Sequence, residues 1–299
     1  MIVIDRIYES KGEAQAFCDA CEAQFEARLQ QISEEIAGAA DLRCVTLSGP
    51  SCSGKTTTAA KLTGEIERAG RRARVLSIDD FYLDHAEMQR RGIKDFEGAD
   101  SLDLAYFTTV VEAIAAGETV QLPTFDFPQR KRVAYTEYQP DARDIYIFEG
   151  IQAIYPQITE ILEPFGYRSI YISVAQGANI CGTAFDKNEI RLMRRIVRDF
   201  YHRDSAPEYT MALWNSVREN EEKNIFPYVD RCHYVINSML PYEVLLIGKY
   251  FLRITDDYPA DGRHYDWVQD LRGRLRQFSG SAVDVSMIPM GSVFREFII

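Results

Sequence analysis

The sequence predicts an α/β fold, a doubly wound parallel sheet with an N-terminal helix and a C-terminal extension. Three observations predict it. Apolar, β-rich runs alternate with helical stretches through the middle of the chain, the pattern of a parallel sheet covered on both faces. A glycine-rich segment separates the first of these runs from a strong helix former. The chain has 299 residues, 46% hydrophobic and 26% charged, which is ordinary globular composition and enough to bury a sizeable core without staples. The same composition excludes intrinsic disorder, a collagen-like fibre and a disulfide scaffold.

The elements follow in order. Residues 11–38 read as one amphipathic helix, with Phe17, Phe25, Leu29, Ile32 and Ile36 near helical spacing. Strand-like runs lie at 43–47, 74–78, 119–122, 145–148, 169–174 and 233–236, and helices at 55–69, 103–116, 186–201 and 208–224. Gly70, Gly117 and Gly166 fall at or near helix exits, where a left-handed residue is useful. From 241 the pattern changes: helical stretches at 242–252 and 263–277 lead to an irregular tail with Pro289 and Gly291. This divides the chain into an N-terminal helical extension over 1–40, a core over 41–240 and a C-terminal extension over 241–299, packed on the core.

Charge and cysteine usage narrow the partners. Thirty-four Lys and Arg against 45 Asp and Glu give a net charge of −11, which argues against nucleic acid while leaving room for a local phosphate site. No apolar run approaches the ~20 residues of a membrane span, and the opening MIVIDRIYESKGEAQ is not read as a secretory signal. The six cysteines are scattered, and Cys18 with Cys21 form a C-x-x-C inside a helical pattern, so free thiols in a reducing cytoplasm are expected.

The segment Gly49-Pro50-Ser51-Cys52-Ser53-Gly54-Lys55-Thr56 fits G-x-x-x-x-G-K-[ST] at every fixed position, with a strand before it and the helix former TTTAAKL after it. Glycines let backbone N–H groups wrap phosphate oxygens, and the following helix offers its positive end to the same anion. Lys55 is expected on the β- and γ-phosphates, Thr56 on Mg²⁺ and Thr57 beside them at the helix start. The small side chain of Cys52 fills the loop. The fold class is thereby a P-loop nucleoside triphosphate hydrolase sheet with a nucleoside triphosphate and Mg²⁺ as ligands, and the motif alone does not distinguish a switch GTPase, a motor ATPase or a small-molecule kinase.

Other segments address the acceptor. The run Val75-Leu76-Ser77-Ile78-Asp79-Asp80-Phe81-Tyr82 ends a strand, and residues at carboxyl ends of strands face the ligand crevice of an open α/β sheet. Asp79 can therefore accept the proton of an attacking hydroxyl. Ile145-Tyr146-Ile147-Phe148-Glu149-Gly150 is an apolar strand ending in an acid, the shape of a carboxylate that orients Mg²⁺. Arg191, Arg195 and Arg198 share a helical face with Arg194 close by, and a lid around 186–206 would use such charges over a transferring phosphoryl group.

Taken together, GPSCSGKTT, VLSIDDFY, TVQLPTFDFPQRKR, IYIFEGI and IRLMRRIVRDFYHR resemble, in order, the motifs of the uridine kinase and phosphoribulokinase family of P-loop kinases, particularly its bacterial uridine kinase-like members. The resemblance covers roughly 44 to 236. It implies Asp79 as the base, Tyr82 at the substrate, and Glu97 on the ribose hydroxyls with Asp95 and Asp100 nearby. It also implies Phe125 where the family has a base-contacting tyrosine and Arg130 where it has a histidine. Arg195, Arg198 and Arg203 carry over as lid arginines, and a further arginine that uridine kinases use for substrate is replaced near Ser205. The expected reaction is transfer of the γ-phosphoryl group of ATP to the 5′-hydroxyl of a nucleoside. A kinase for a sugar phosphate or other small alcohol, held by Arg130, Lys131 and Arg132, and a nucleotide-binding regulator without turnover remain open, as does a homo-oligomeric state.

Overall fold

Five strands made of the most apolar runs lie side by side, all parallel. They are β2 (Cys44–Ser48), β3 (Ala73–Ser77), β6 (Ile145–Glu149), β7 (Tyr167–Ser173) and β10 (Tyr234–Asn237), in the spatial order β10-β7-β2-β6-β3. Every residue of β2 is buried, because β6 and β7 flank it and helices cover both faces. The computed structural model describes residues 1–95, 97–141 and 143–298.

The intervening elements are β1 (Ile2–Ile4), α1 (Lys11–Gly38), α2 (Lys55–Arg68), α3 (His85–Arg91), α4 (Leu104–Ala116), β4 (Val120–Asp126), β5 (Lys131–Tyr138) and α5 (Pro156–Leu162). Beyond them come β8 (Ala178–Ile180), β9 (Thr183–Phe185), α6 (Lys187–Arg203), α7 (Pro207–Asn224), α8 (Phe226–Val229), α9 (Glu243–Ile254) and α10 (Tyr265–Arg276). Local chemistry sets several boundaries. Ser10 caps α1 by accepting from the Glu13 N–H, and Asp186 with Glu189 forms a reciprocal capping box on α6. Gly117 ends α4 in the left-handed conformation its position predicts.

Alternation along the strands divides the core in two. Val45, Leu47, Ile145 and Ile147 face a large cluster built with α1, α2, α6, α9, α10 and the C-terminal tail. Cys44, Tyr146 and Phe148 face the other side, packed with α4, α5 and β4. The run at 119–122 is a finding against its expected place in the alternating sheet. It continues to Asp126 and pairs antiparallel with β5 as a separate hairpin, register-shifted between Thr124 and Phe125. The Asp126 carboxylate accepts from the Gln129 N–H at 2.7 Å and closes the turn. A third small sheet, β1-β8-β9, attaches the N-terminal strand to the loop before α6. Cys18 and Cys21 are buried free thiols on α1. Among the described residues no helix is long and apolar enough to cross a membrane.

One buried contact joins these parts. Arg194 on α6 and Glu243 on α9 are both 0% exposed and pair in a bidentate fork. Arg194 also donates to the carbonyl oxygens of Cys52 at 3.2 Å and Ser238 at 2.8 Å, and its guanidinium lies 4.5 Å from the Phe297 ring centroid. Arg194→Met is expected to cost roughly 3–5 kcal/mol by stranding a buried carboxylate, whereas adding Glu243→Leu should recover most of the loss. Urea unfolding of both variants checks this; a single variant within 1 kcal/mol of the parent, on the order of a surface change, would contradict it.

Candidate active site

The carboxyl ends of β2, β3 and β6 meet at one edge of the sheet, where strand order reverses about β2. The loop between β2 and α2 carries Gly49, Ser51, Cys52, Ser53 and Gly54, and α2 opens with Lys55, Thr56 and Thr57. Steric crowding dictates the two glycines. A Cβ at Gly49 would lie 2.1 Å from the Ile172 carbonyl oxygen, and Gly54 adopts φ 85 with its missing Cβ 2.2 Å from Val293 Cγ2. Lys55 folds back, its Nζ donating to the Pro50 carbonyl at 3.2 Å, while the Thr56 side chain faces solvent. Ser51 Oγ accepts from Arg198 Nη1 at 3.3 Å, and Ser53 Oγ is buried with no hydrogen-bond partner among the described residues.

Two carboxylates face this loop from neighbouring strands. The register sets Glu149 beside Leu47 and Ser77, and Asp79 is the second residue of the short turn Ile78–Phe81 that follows β3. Burial raises the Asp79 carboxyl, against the pull of Lys55. Burial also pushes Glu149 up to about 6, opposed by Lys55 and reinforced by Asp79 and Glu296. Asp80 points elsewhere: its Oδ1 accepts from the Phe125 N–H at 2.9 Å and anchors the hairpin. The adjacent pair therefore splits, one acid toward the phosphate loop and one toward β4.

The acceptor side is aromatic and acidic. Tyr82 is buried, 5.5 Å from the Phe125 ring and 6.0 Å from the Phe127 ring, and Phe127 is 56% exposed. The Tyr82 hydroxyl accepts from Gln152 Nε2 at 2.5 Å, within the electrostatic reach of Asp79 and Glu97. Glu97 is tied down at three points: its N–H donates to Asp95, its carbonyl accepts from the Tyr155 hydroxyl at 2.9 Å, and its carboxylate accepts from Asn220. Burial raises the Glu97 carboxyl, with Arg195 opposing. A cavity of about 560 Å³ opens beside it, with Arg91, Lys94 and Lys223 among its lining. Arg130 lies at the exposed hairpin turn with φ 53, its carbonyl held by the His85 N–H at 2.9 Å.

The arginine helix divides its labour. Arg191 forks to Glu221 and Arg194 to Glu243, both buried and both committed to packing. Arg195, Arg198 and Arg203 instead converge on the buried carboxylate of Asp199, at 3.5, 2.5 and 3.7 Å, and Arg198 reaches the phosphate loop from there. Asp199, Gln152, Asn220 and Glu296 are the contacts that sequence reasoning did not assign to the site. Asp199 was visible as an acid four residues from Arg195 and from Arg203; the others had no local signal.

The oxygen donors present suit a hard cation held jointly with phosphate. No group of three or more His, Cys, Asp or Glu side chains among the described residues could cage a metal. Thr56 and Glu149 are the hydroxyl and the carboxylate that would hold Mg²⁺ there, with phosphate oxygens and water completing its shell.

The model of the phosphoribulokinase / uridine kinase family matches residues 44–244, and the chain belongs to that family. A uridine kinase of Chloroflexus aggregans is 28% identical over 167 residues, 55% of this chain and 71% of that protein. The uridine-cytidine kinase C of Dictyostelium discoideum is 22% identical over 254 residues, 84% of this chain and 51% of that protein. A crystal structure from Silicibacter sp. TM1040, provisionally named a fructose transport system kinase, superposes with a TM-score of 0.49 at 20% identity, covering 65% of this chain and 89% of that one.

The raised Glu149 carboxyl has a stability consequence. Its unfolded form loses the proton near 4.5 and its folded form near 6, so between these values the folded state holds more protons and stability falls as pH rises. The penalty is complete above pH 6 and amounts to about 2 kcal/mol. Glu149→Gln is expected to stabilise the ligand-free protein by about that amount at pH 7.5 and by little at pH 4.5, read from denaturant midpoints at the two pH values. Equal effects at both would show that burial of the charge is not the cause.

Proposed function

We propose that this P-loop kinase transfers the γ-phosphoryl group of ATP to the 5′-hydroxyl of a neutral nucleoside. The carrying observation is the position of Asp79 between the two halves of the site: its carboxylate is within the electrostatic reach of Lys55 on the donor side and of Tyr82 and Glu97 on the acceptor side. A base so placed can take the hydroxyl proton as the phosphoryl group moves. Lys55 and the loop amides hold the phosphates. Bound Mg²⁺ on Thr56 and Glu149 would neutralise charge on the β- and γ-phosphates. Arg195, Arg198 and Arg203 supply the positive charge that meets the transferring group, pre-oriented by Asp199. Glu97 is placed for the ribose hydroxyls, and Phe125 with Phe127 offers an aromatic wall for the base.

A second reading is an anionic small alcohol, favoured by Arg91, Lys94 and Lys223 around the cavity beside Glu97. Arg132 does not add to it, since its guanidinium is committed to Asp103 and to the Tyr82 carbonyl.

Lys55→Ala should lower turnover by orders of magnitude in a folded protein. Asp79→Asn should keep ATP binding and lower transfer by about 10²–10⁴-fold, with Asp80→Asn far milder on chemistry. An ATP-consumption panel of uridine, cytidine, inosine, adenosine, ribulose 5-phosphate and pantothenate decides the acceptor. Phe125 packs against a base without the hydrogen bond a tyrosine would make, so base selectivity should be shallow. Arg130, if it reaches the base, donates only and favours carbonyl edges over cytosine. Turnover confined to the phosphorylated sugar or to pantothenate would replace the nucleoside with the anionic acceptor.

A further inference from the structure

The N-terminus of α2 already holds a carboxylate, contributed by the chain's own tail. Glu296 Oε2 accepts from the Thr57 N–H at 3.4 Å and from Thr57 Oγ1 at 3.1 Å. A helix N-terminus with a free N–H and an adjacent hydroxyl is an anion seat, and here it adjoins the loop that would cradle a nucleotide. The placement is not that of a loose end. Val293 packs against Gly54, and Val293, Phe294 and Phe297 are fully buried, so the turn 293–296 is fixed against the phosphate loop. Arg295 holds the same turn by donating to the carbonyls of Val285 at 2.8 Å and Ile288 at 2.7 Å. Glu296 itself stays half-exposed, so its side chain can swing into solvent while the apolar anchors remain.

We propose that Glu296 is an autoinhibitory stand-in for a nucleotide phosphate: its carboxylate occupies the Thr57 seat, and a nucleoside diphosphate or triphosphate binds fully only when that carboxylate leaves. The energetics favour exclusion over coexistence. An incoming phosphate would meet a like charge within hydrogen-bond range of the same two donors, beside the acids Glu149 and Asp79 already crowded at the loop. Lys55, Arg198 and Arg203 supply the positive charge that draws the nucleotide in, Arg198 lying within the electrostatic reach of Glu296 itself. Seating of the tail and of the nucleotide are thus linked, and tail binding lowers nucleotide affinity by the fraction of molecules in which the seat is free.

The inference rests on the phosphate loop binding a nucleotide and is independent of the acceptor. The test is equilibrium binding of MgADP to the full chain by titration calorimetry, with no acceptor present. Glu296→Gln and Glu296→Ala should each bind MgADP roughly tenfold more tightly than the parent, the weight of losing a charge-assisted contact in the free protein. Unchanged or weaker binding in folded variants overturns the proposal, since a Glu296 that helps hold the nucleotide would give weaker binding. A crystal structure of the parent with MgADP decides it without any variant: a carboxylate still on Thr57 with nucleotide bound refutes the exclusion, and one turned away supports it. Lys55→Ala in the same titration separates the two readings, because loss of binding there with no gain at Glu296 sinks only the gate, whereas full-strength binding in Lys55→Ala sinks the loop reading beneath it.

Discussion

The buried fork between Arg194 and Glu243 is the constraint on which the rest of the site depends. It is built from residues on α6 and α9 and reaches the phosphate loop through the Cys52 carbonyl, at a residue whose φ of 61 is left-handed without being glycine. Such a backbone conformation persists where its surroundings over-determine it. The surroundings here are a guanidinium with both carboxylate oxygens, two carbonyls and a hydroxyl as partners, closed over by the Phe297 ring. A fully desolvated charge pair adds little net stability, but with all its donors engaged it permits only one arrangement of the three segments it joins.

Charge at the open face is arranged on the opposite plan. Arg194 has every donor engaged, whereas among the described residues the acids that face the loop are short of partners. Burial raises Asp79 and Glu149 with Lys55 opposing it, and on the acceptor side it raises Glu97 with Arg195 opposing it. Three arginines lean on the single carboxylate of Asp199, leaving a surplus of positive charge next to Ser51. An excess of acid and an excess of positive charge thus lie on the two sides of the loop, an arrangement that would suit a cation and an anion bound together. Perturbed groups clustered in a crevice mark a functional site, and here their signs match a metal–phosphate complex.

Most of this was legible from the sequence wherever function rides on local spacing. The phosphate loop, Asp79 and Glu149 each close an apolar strand, and strand ends in a parallel sheet converge by topology alone. The arginine helix was legible as a face but not as roles: only partners far along the chain, Glu221 and Glu243, show that Arg191 and Arg194 are spent on packing. The β4–β5 hairpin was half seen, because β5 reads KRVAYTEY with most residues exposed and its turn carries no Asn-Gly or Asp-Gly signal. β1, β8 and β9 are three residues each, too short for any periodicity to register. Glu296 was invisible for a different reason: 239 residues separate it from Thr57, and nothing in an irregular tail announces a carboxylate aimed at a helix start.

That tail changes what the ends of the chain are for. The cluster on the α2 side of the sheet takes Phe25, Leu29 and Ile32 from α1 and Val293, Phe294 and Phe297 from the last turn, alongside Val45 and Leu47 of the first core strand. Each such large side chain contributes about 1.5–3 kcal/mol by burial, a sum that is large against the marginal stability of a domain. Gly54 makes the dependence specific, since Val293 fills the space where its side chain would be. The curvature of the phosphate loop is therefore held from outside by residues almost the whole chain length away. Removing the tail would expose apolar surface and unsettle the loop in one step. Exchanging only the Glu296 carboxylate leaves that packing in place, so the electrostatic role of the tail can be separated from its structural one.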